Sequence, residues 1–193
     1  MRALLPVPFF MVWNTVLALI PLAFALGLFR RRARVDAASW WIGLAVFLVM
    51  LPNAPYVLTD VIHLVDDAHG GMAIRTAVAY AVFFSVGVLA YTISVGRLMA
   101  FLRDRGLTPA ARATGEVALH VVVAIGVLIG RYGRFNSWDL GLRPERVLTD
   151  SLGWASPRAA VAVVLLAGGL AVVTATLRCA ARGARVGLAA ARA

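Results

Sequence analysis

Few of the 193 residues carry groups suited to chemistry, and they gather in two short stretches. The first is Leu51-Pro52-Asn53-Ala54-Pro55-Tyr56-Val57-Leu58-Thr59-Asp60-Val61-Ile62-His63-Leu64. The second is Arg131-Tyr132-Gly133-Arg134-Phe135-Asn136-Ser137-Trp138-Asp139. Asn53, just ahead of Ala54-Pro55, reads as a helix cap followed by an early proline. A helix starting there repeats Asn53, Tyr56, Asp60, His63 and Asp67 at steps of three and four, which puts them on one face. Val57, Leu58, Val61, Ile62 and Val65 cover the other sides. Asp60 and His63 then form a pair able to do acid–base work on one ligand. A metal needs more. One histidine with scattered carboxylates, Asp67 or Asp139 among them, is a poor ligand set, so no metal and no cofactor is expected.

Arg131 and Arg134 lie one helical turn apart. Long basic side chains at a membrane boundary snorkel toward headgroups. A guanidinium also grips phosphate or carboxylate in a two-pronged fork. A third reading pairs these arginines with Asp60 or Asp139, and this internal ion pair is placed first among the three. Asn136-Ser137-Trp138-Asp139 reads most simply as a cap and turn, with Trp138 in an interfacial aromatic belt. A role in substrate binding requires Asn136 and Asp139 to turn inward.

The elements that position these residues are membrane spans. The chain is 62% hydrophobic, with a mean hydropathy of +0.86, which belongs to the membrane class rather than to a soluble domain. The net charge of +10 comes entirely from arginine. The arginines sit at the ends of apolar runs rather than in a soluble basic domain, so nucleic acid is not an expected partner. Cys179 is the only cysteine, which excludes an internal disulfide and a thiolate metal cluster.

Apolar runs cover residues 5–29, 39–51, 77–101, 117–129 and 159–177. A span needs roughly 20 apolar residues, so the short second and fourth runs must borrow from the motifs that follow them. Arg30, Arg31, Arg32 and Arg34, then Arg97, Arg103, Arg105 and Arg112, then Arg178, Arg182, Arg185 and Arg192, mark the cytoplasmic side. The N-terminus is then outside and the C-terminus inside, and both motifs reach the outer face. The expected architecture is an all-α integral membrane bundle of about five transmembrane helices. It forms one multi-pass domain over residues 1–180, with an arginine-rich cytoplasmic tail at 181–193. Asn14, deep in the first span, needs a partner, expected at the backbone loosened by Pro52 and Pro55. Glu116 and His120 sit at the other end of the fourth span, apart from the motifs.

The motif Leu-Pro-Asn-Ala-Pro-Tyr…Thr-Asp…His-Leu followed by Gly-Arg…Arg-Phe-Asn-Ser-Trp-Asp resembles a family of small bacterial multi-pass membrane proteins known as domain of unknown function 1361. Asn14-Thr15-Val16-Leu17-Ala18-Leu19-Ile20-Pro21 is similar to that family's first-span element. The resemblance covers about Asn14 to Asp139 and implies a membrane location, with Asn14, Asn53, Pro55, Tyr56, Thr59, Asp60, His63, Arg131, Arg134, Asn136, Ser137, Trp138 and Asp139 as its matching positions. It implies no activity. Tyr132-Gly133 departs from it, where a bulkier apolar pair is expected.

The expected function is an outward-facing polar site in a bacterial plasma membrane. Its partners are membrane lipids and an anionic lipid or envelope substrate. Arg131 and Arg134 hold the anion, Asp60 and His63 do polar or proton chemistry, and Asn53, Tyr56, Asn136 and Asp139 bind and orient. The alternatives are a transporter or permease component, weakened by spans nearly bare of polar groups, and a non-catalytic assembly protein. Accessibility labelling tests the arrangement. In a Cys179→Ala background, Asp67→Cys and Leu140→Cys proteins should both react with a membrane-impermeant thiol reagent on intact cells. Reaction at only one position breaks the five-span arrangement.

Overall fold

The structure, a computed structural model, describes residues 8–30, 33–69, 74–153 and 156–190, and for 66–69 and 190 the backbone alone. The side chain of Asp67, last member of the expected stripe, lies outside the described residues, as do Arg2, Arg31, Arg32, Trp154 and Arg192. Helices α1 (Phe9–Leu28) and α2 (Ala38–Met50) are followed by α3 (Asn53–Tyr56), a 3-10 turn (Val57–Asp60) and α4 (Val61–His69). Two long helices come next, α5 (Ile74–Asp104) and α6 (Pro109–Gly133). The short α7 (Asp139–Leu142) and α8 (Pro144–Leu152) lead to the long α9 (Pro157–Ala190). Every element among the described residues is helical.

Five stretches are long and apolar enough to cross a membrane: Phe9–Leu28, Ala38–Val65, Ile74–Asp104, Pro109–Gly133 and Pro157–Ala189. The second combines α2, α3, the 3-10 turn and half of α4, so the short second run does borrow from the motif after it. The third, fourth and fifth spans outgrow their apolar runs because arginines at their ends remain helical, whereas the first, Phe9–Leu28, falls within its run. Local chemistry explains the boundaries. Gly106 ends the approach from α5 at φ 84°, a conformation glycine adopts without steric cost. Thr108 caps α6, its Oγ1 accepting from the Ala111 amide at 3.2 Å, with Pro109 in the first turn.

The helices pack as two groups. α1 lies against α2, α3 and α5, while α6 lies against α9; α5 touches both groups. The N-terminal end of α1 meets α4 and the 135–138 loop, through Phe10 on His63 and Trp13 on Trp138. The ends of α2 and α6 that carry the motifs therefore share one end of the bundle with the start of α1. At the other end Arg105 donates to the Ala33 carbonyl at 2.7 Å and lies over the Phe101 ring.

The broken second span fits its neighbours only because both present glycine. A Cβ on Gly87 of α5 would stand 2.5 Å from the Ala54 carbonyl oxygen and collide with Val57. A Cβ on Gly126 of α6 would stand 2.6 Å from Pro52 Cγ. Backbone and a proline ring yield little, so Gly87→Ala should destabilise the protein by about 1–3 kcal/mol, the usual cost of overpacking. Gly168→Ala, with open space at its Cβ, should keep or slightly raise the unfolding temperature in detergent, because alanine is the better helix former.

Candidate functional site

The site begins with missing amide protons. Pro52 and Pro55 have no N–H, and within a membrane every carbonyl they leave free needs another donor. The Ala54 amide takes the Leu51 carbonyl at 3.2 Å and the Tyr56 amide takes the Pro52 carbonyl at 3.1 Å. Because the Ala54 amide turns to Leu51, the Met50 carbonyl four residues before it is freed, and Asn53 Nδ2 donates to it at 3.0 Å. The same amide nitrogen donates to Ser137 Oγ at 2.7 Å. Asn53 is therefore not the helix cap expected from its sequence position. The chain stays right-handed helical through Leu51 and Pro52, so there is no helix start to cap. The Asn53 side chain is a brace between the broken helix and the second motif.

The 3-10 turn then redirects the polar stripe. Thr59 Oγ1 closes it by donating to the Tyr56 carbonyl at 2.8 Å. Four residues at about three per turn carry Asp60 about 120° round from Tyr56, where an α-helix leaves about 40°. Three α-helical steps bring His63 back to within about 60° of Tyr56. Asp60 accordingly faces the bundle, 4% exposed, and its Oδ2 accepts from Asn14 Nδ2 at 2.8 Å. Asn14 thus finds a carboxylate rather than the loosened backbone expected for it. A buried amide and a buried carboxylate satisfy one another, since either alone is costly to desolvate.

Between α1, α2, the broken helix and α6 lies a cavity of about 820 Å³. Of the predicted site residues, Asn53, Tyr56, His63, Arg131, Arg134 and Asn136 line it, joined by Asn14 and Ser137. Asp60 and Asp139 do not. Asp60 stands behind the wall on Asn14, without a hydrogen bond to His63. Asp139 Oδ2 accepts from the Asn136 amide at 2.7 Å, which makes it a turn-former. The expected ion pairs of Arg131 or Arg134 with these two carboxylates are absent. Among the described residues neither guanidinium has a carboxylate within 4 Å. The physical reason is that both acids are already committed, one by the 3-10 twist and one by the turn.

Arg134 carries a further constraint. It ends α6 at φ 54°, the left-handed position that glycine ordinarily takes. An L side chain there costs about 1–2 kcal/mol. This reversal turns the chain back over the cavity, and it follows directly on the departing pair Tyr132-Gly133.

A second polar cluster lies toward the opposite end, between α5, α6 and α9. The Tyr91 hydroxyl is 2.6 Å from His120 Nδ1, and His120 Nε2 is 3.7 Å from Glu116. Glu116 pairs with Arg178, whose Nε donates to the Thr174 carbonyl at 3.1 Å. Sequence reading separates Glu116 and His120 from the motifs but misses this network, because Arg178 is 62 positions away and reads as a tail anchor. The four-residue step from Glu116 to His120 on one helix face is the signal that points to it.

The sequence pattern of the DUF1361 family, proteins of unknown function, matches residues 13–173. The chain belongs to this family. The DUF1361 match takes in every residue that lines the cavity, from Trp13 to Val147, and stops short of Thr174 and Arg178. No curated protein and no solved structure matches the chain. In this DUF1361 protein, Arg134→Gly should raise stability by about 1 kcal/mol or less, because relief of the left-handed strain is offset by a freer unfolded chain. Thermal unfolding in detergent measures it, and an unchanged or lower midpoint removes strain as a feature of this position.

Proposed function

We propose that this integral membrane protein holds the anionic group of an envelope substrate at Arg131 and Arg134. One observation carries the reading: Arg131 and Arg134 both line the cavity, while Asp60 is hydrogen-bonded to Asn14 and Asp139 to the Asn136 amide, so neither arginine has a carboxylate within 4 Å among the described residues. Arginine side chains with no carboxylate in direct contact, beside neutral donors and acceptors, form a receptor for phosphate or carboxylate. Asn53, Tyr56 and Asn136 supply hydrogen bonds around the anion. His63, against the Phe10 ring, is the wall residue suited to move a proton on the bound molecule. Asp60 acts through Asn14, as a positioning group.

The remaining arginines support an orientation in a bacterial plasma membrane. Those at the end away from the cavity lie on the cytoplasmic side by the positive-inside rule, so the cavity opens outward and the C-terminus is inside. A transporter or permease reading draws on the Glu116–Arg178 cluster, which places charge inside the spans. That cluster is closed on itself, each member partnered by another, and offers a ligand no free group.

Inorganic phosphate tests the reading. It should raise the unfolding temperature of the purified wild-type protein. In Arg131→Ala the apparent affinity should drop about 10- to 100-fold, the loss of a charge-assisted hydrogen bond. Arg131→Lys, a point charge without the fork, should fall between. Equal phosphate protection of wild type and Arg131→Ala overturns the assignment.

A further inference from the structure

The cavity has two levels that differ in chemistry. Its upper level holds the arginines and amides. Its lower level runs along α6 to Val122, nine residues from Arg131 or about 13 Å at helical rise, and is walled by Leu17, Leu48, Val122 and Ile125. A small soluble anion fills only the upper level. The lower one, apolar and inside a membrane span, then holds either costly water or hydrocarbon.

This lower level is also open at the side. Leu48, Val122 and Ile125 line the cavity and yet are 40%, 58% and 42% exposed. They stand where the cavity meets the outer surface of the helix bundle. α2 packs on α1 and α6 packs on α9, so the two helices leave a slot between them. At the top the slot is bridged by the Asn53–Ser137 hydrogen bond and by Trp13 edge-on to Trp138 at 6.5 Å. The opening that remains at depth faces lipid.

We infer that the bound molecule is a lipid with a phosphate headgroup, its phosphate at Arg131 and Arg134 and its hydrocarbon tail lying in the slot between α2 and α6. The inference rests on the anion-binding reading above and adds the substrate class and the route of entry, sideways from the bilayer. Headgroup selection comes from the guanidinium fork, which a zwitterionic lipid satisfies less well because its own cation opposes the arginines. The tail contributes apolar burial without selecting among chains.

Acyl-chain photocrosslinking tests it in the intact protein. Wild-type protein is placed in phosphatidylcholine nanodiscs doped with a diazirine-tailed phosphatidic acid or, separately, a diazirine-tailed phosphatidylcholine. Crosslinks should concentrate on residues 48–49 and 122–129 with phosphatidic acid and exceed those from phosphatidylcholine. In Arg131→Ala that excess should fall at least about tenfold. The exposed Val122→Trp and Ile125→Trp proteins, each verified as folded by its unfolding temperature, should lose the slot crosslinks while keeping protection by inorganic phosphate. If phosphate protects the wild type but tail crosslinks do not discriminate between the lipids, or scatter over all five spans, the ligand is a soluble anion. The lipid inference then fails and the anion site stands. If neither phosphate protection nor selective crosslinks depend on Arg131, both fail.

Discussion

Two prolines inside one membrane helix remove two amide donors, and hydrocarbon supplies none in return. The rest of the structure is arranged around that debt. Asn53 is spent on the Met50 carbonyl, and the chain tightens into a 3-10 turn after Tyr56. The irregular segment lies close against α5 and α6, where Gly87 and Gly126 leave the room for it. The cavity sits beside this break because an irregular helix does not pack flush along its neighbours. The constraint that threatens the fold is the same one that opens a polar site within it.

Much of this was legible in the sequence, for identifiable reasons. Hydropathy gives five spans because each long helix must be apolar over most of its length. Helical spacing brings Tyr56 and His63 to one cavity, since four 3-10 steps and three α-helical steps still leave His63 within about 60° of Tyr56. It misleads for Asp60, which lies on the 3-10 turn itself. Sequence cannot distinguish Asn53 as a cap from Asn53 as a brace, because both uses want a short amide beside a proline. The ion-pair expectation fails because charge counting does not register which carboxylates are already occupied by amides. The spacing of Glu116 and His120 flags one helix face, but Arg178 as their partner depends on α6 and α9 lying side by side, a tertiary fact with no local signature.

The two polar clusters express opposite uses of buried polarity. In the Tyr91–His120–Glu116–Arg178 group each side chain answers another, and the result ties α5, α6 and α9 together. Such a closed network fixes geometry. In the cavity neither Arg131 nor Arg134 has a carboxylate within 4 Å among the described residues, and Arg134 is held in a strained backbone conformation. Strain and unmatched charge persist where the surrounding structure over-determines them, a pattern found at functional sites.

The separation of the bundle into two packed groups has a temporal meaning as well. α1 to α5 precede α6 in the chain and make most of their contacts among themselves. During synthesis, when N-terminal segments assemble first, they form a unit with one wall of the cavity and no arginine in it. The site comes into being when α6 docks its glycine face on Pro52 and Tyr56, bringing Arg131 and Arg134 with it. The cavity is thus completed only when α6 arrives, and a chain that stops short of it lacks both arginines.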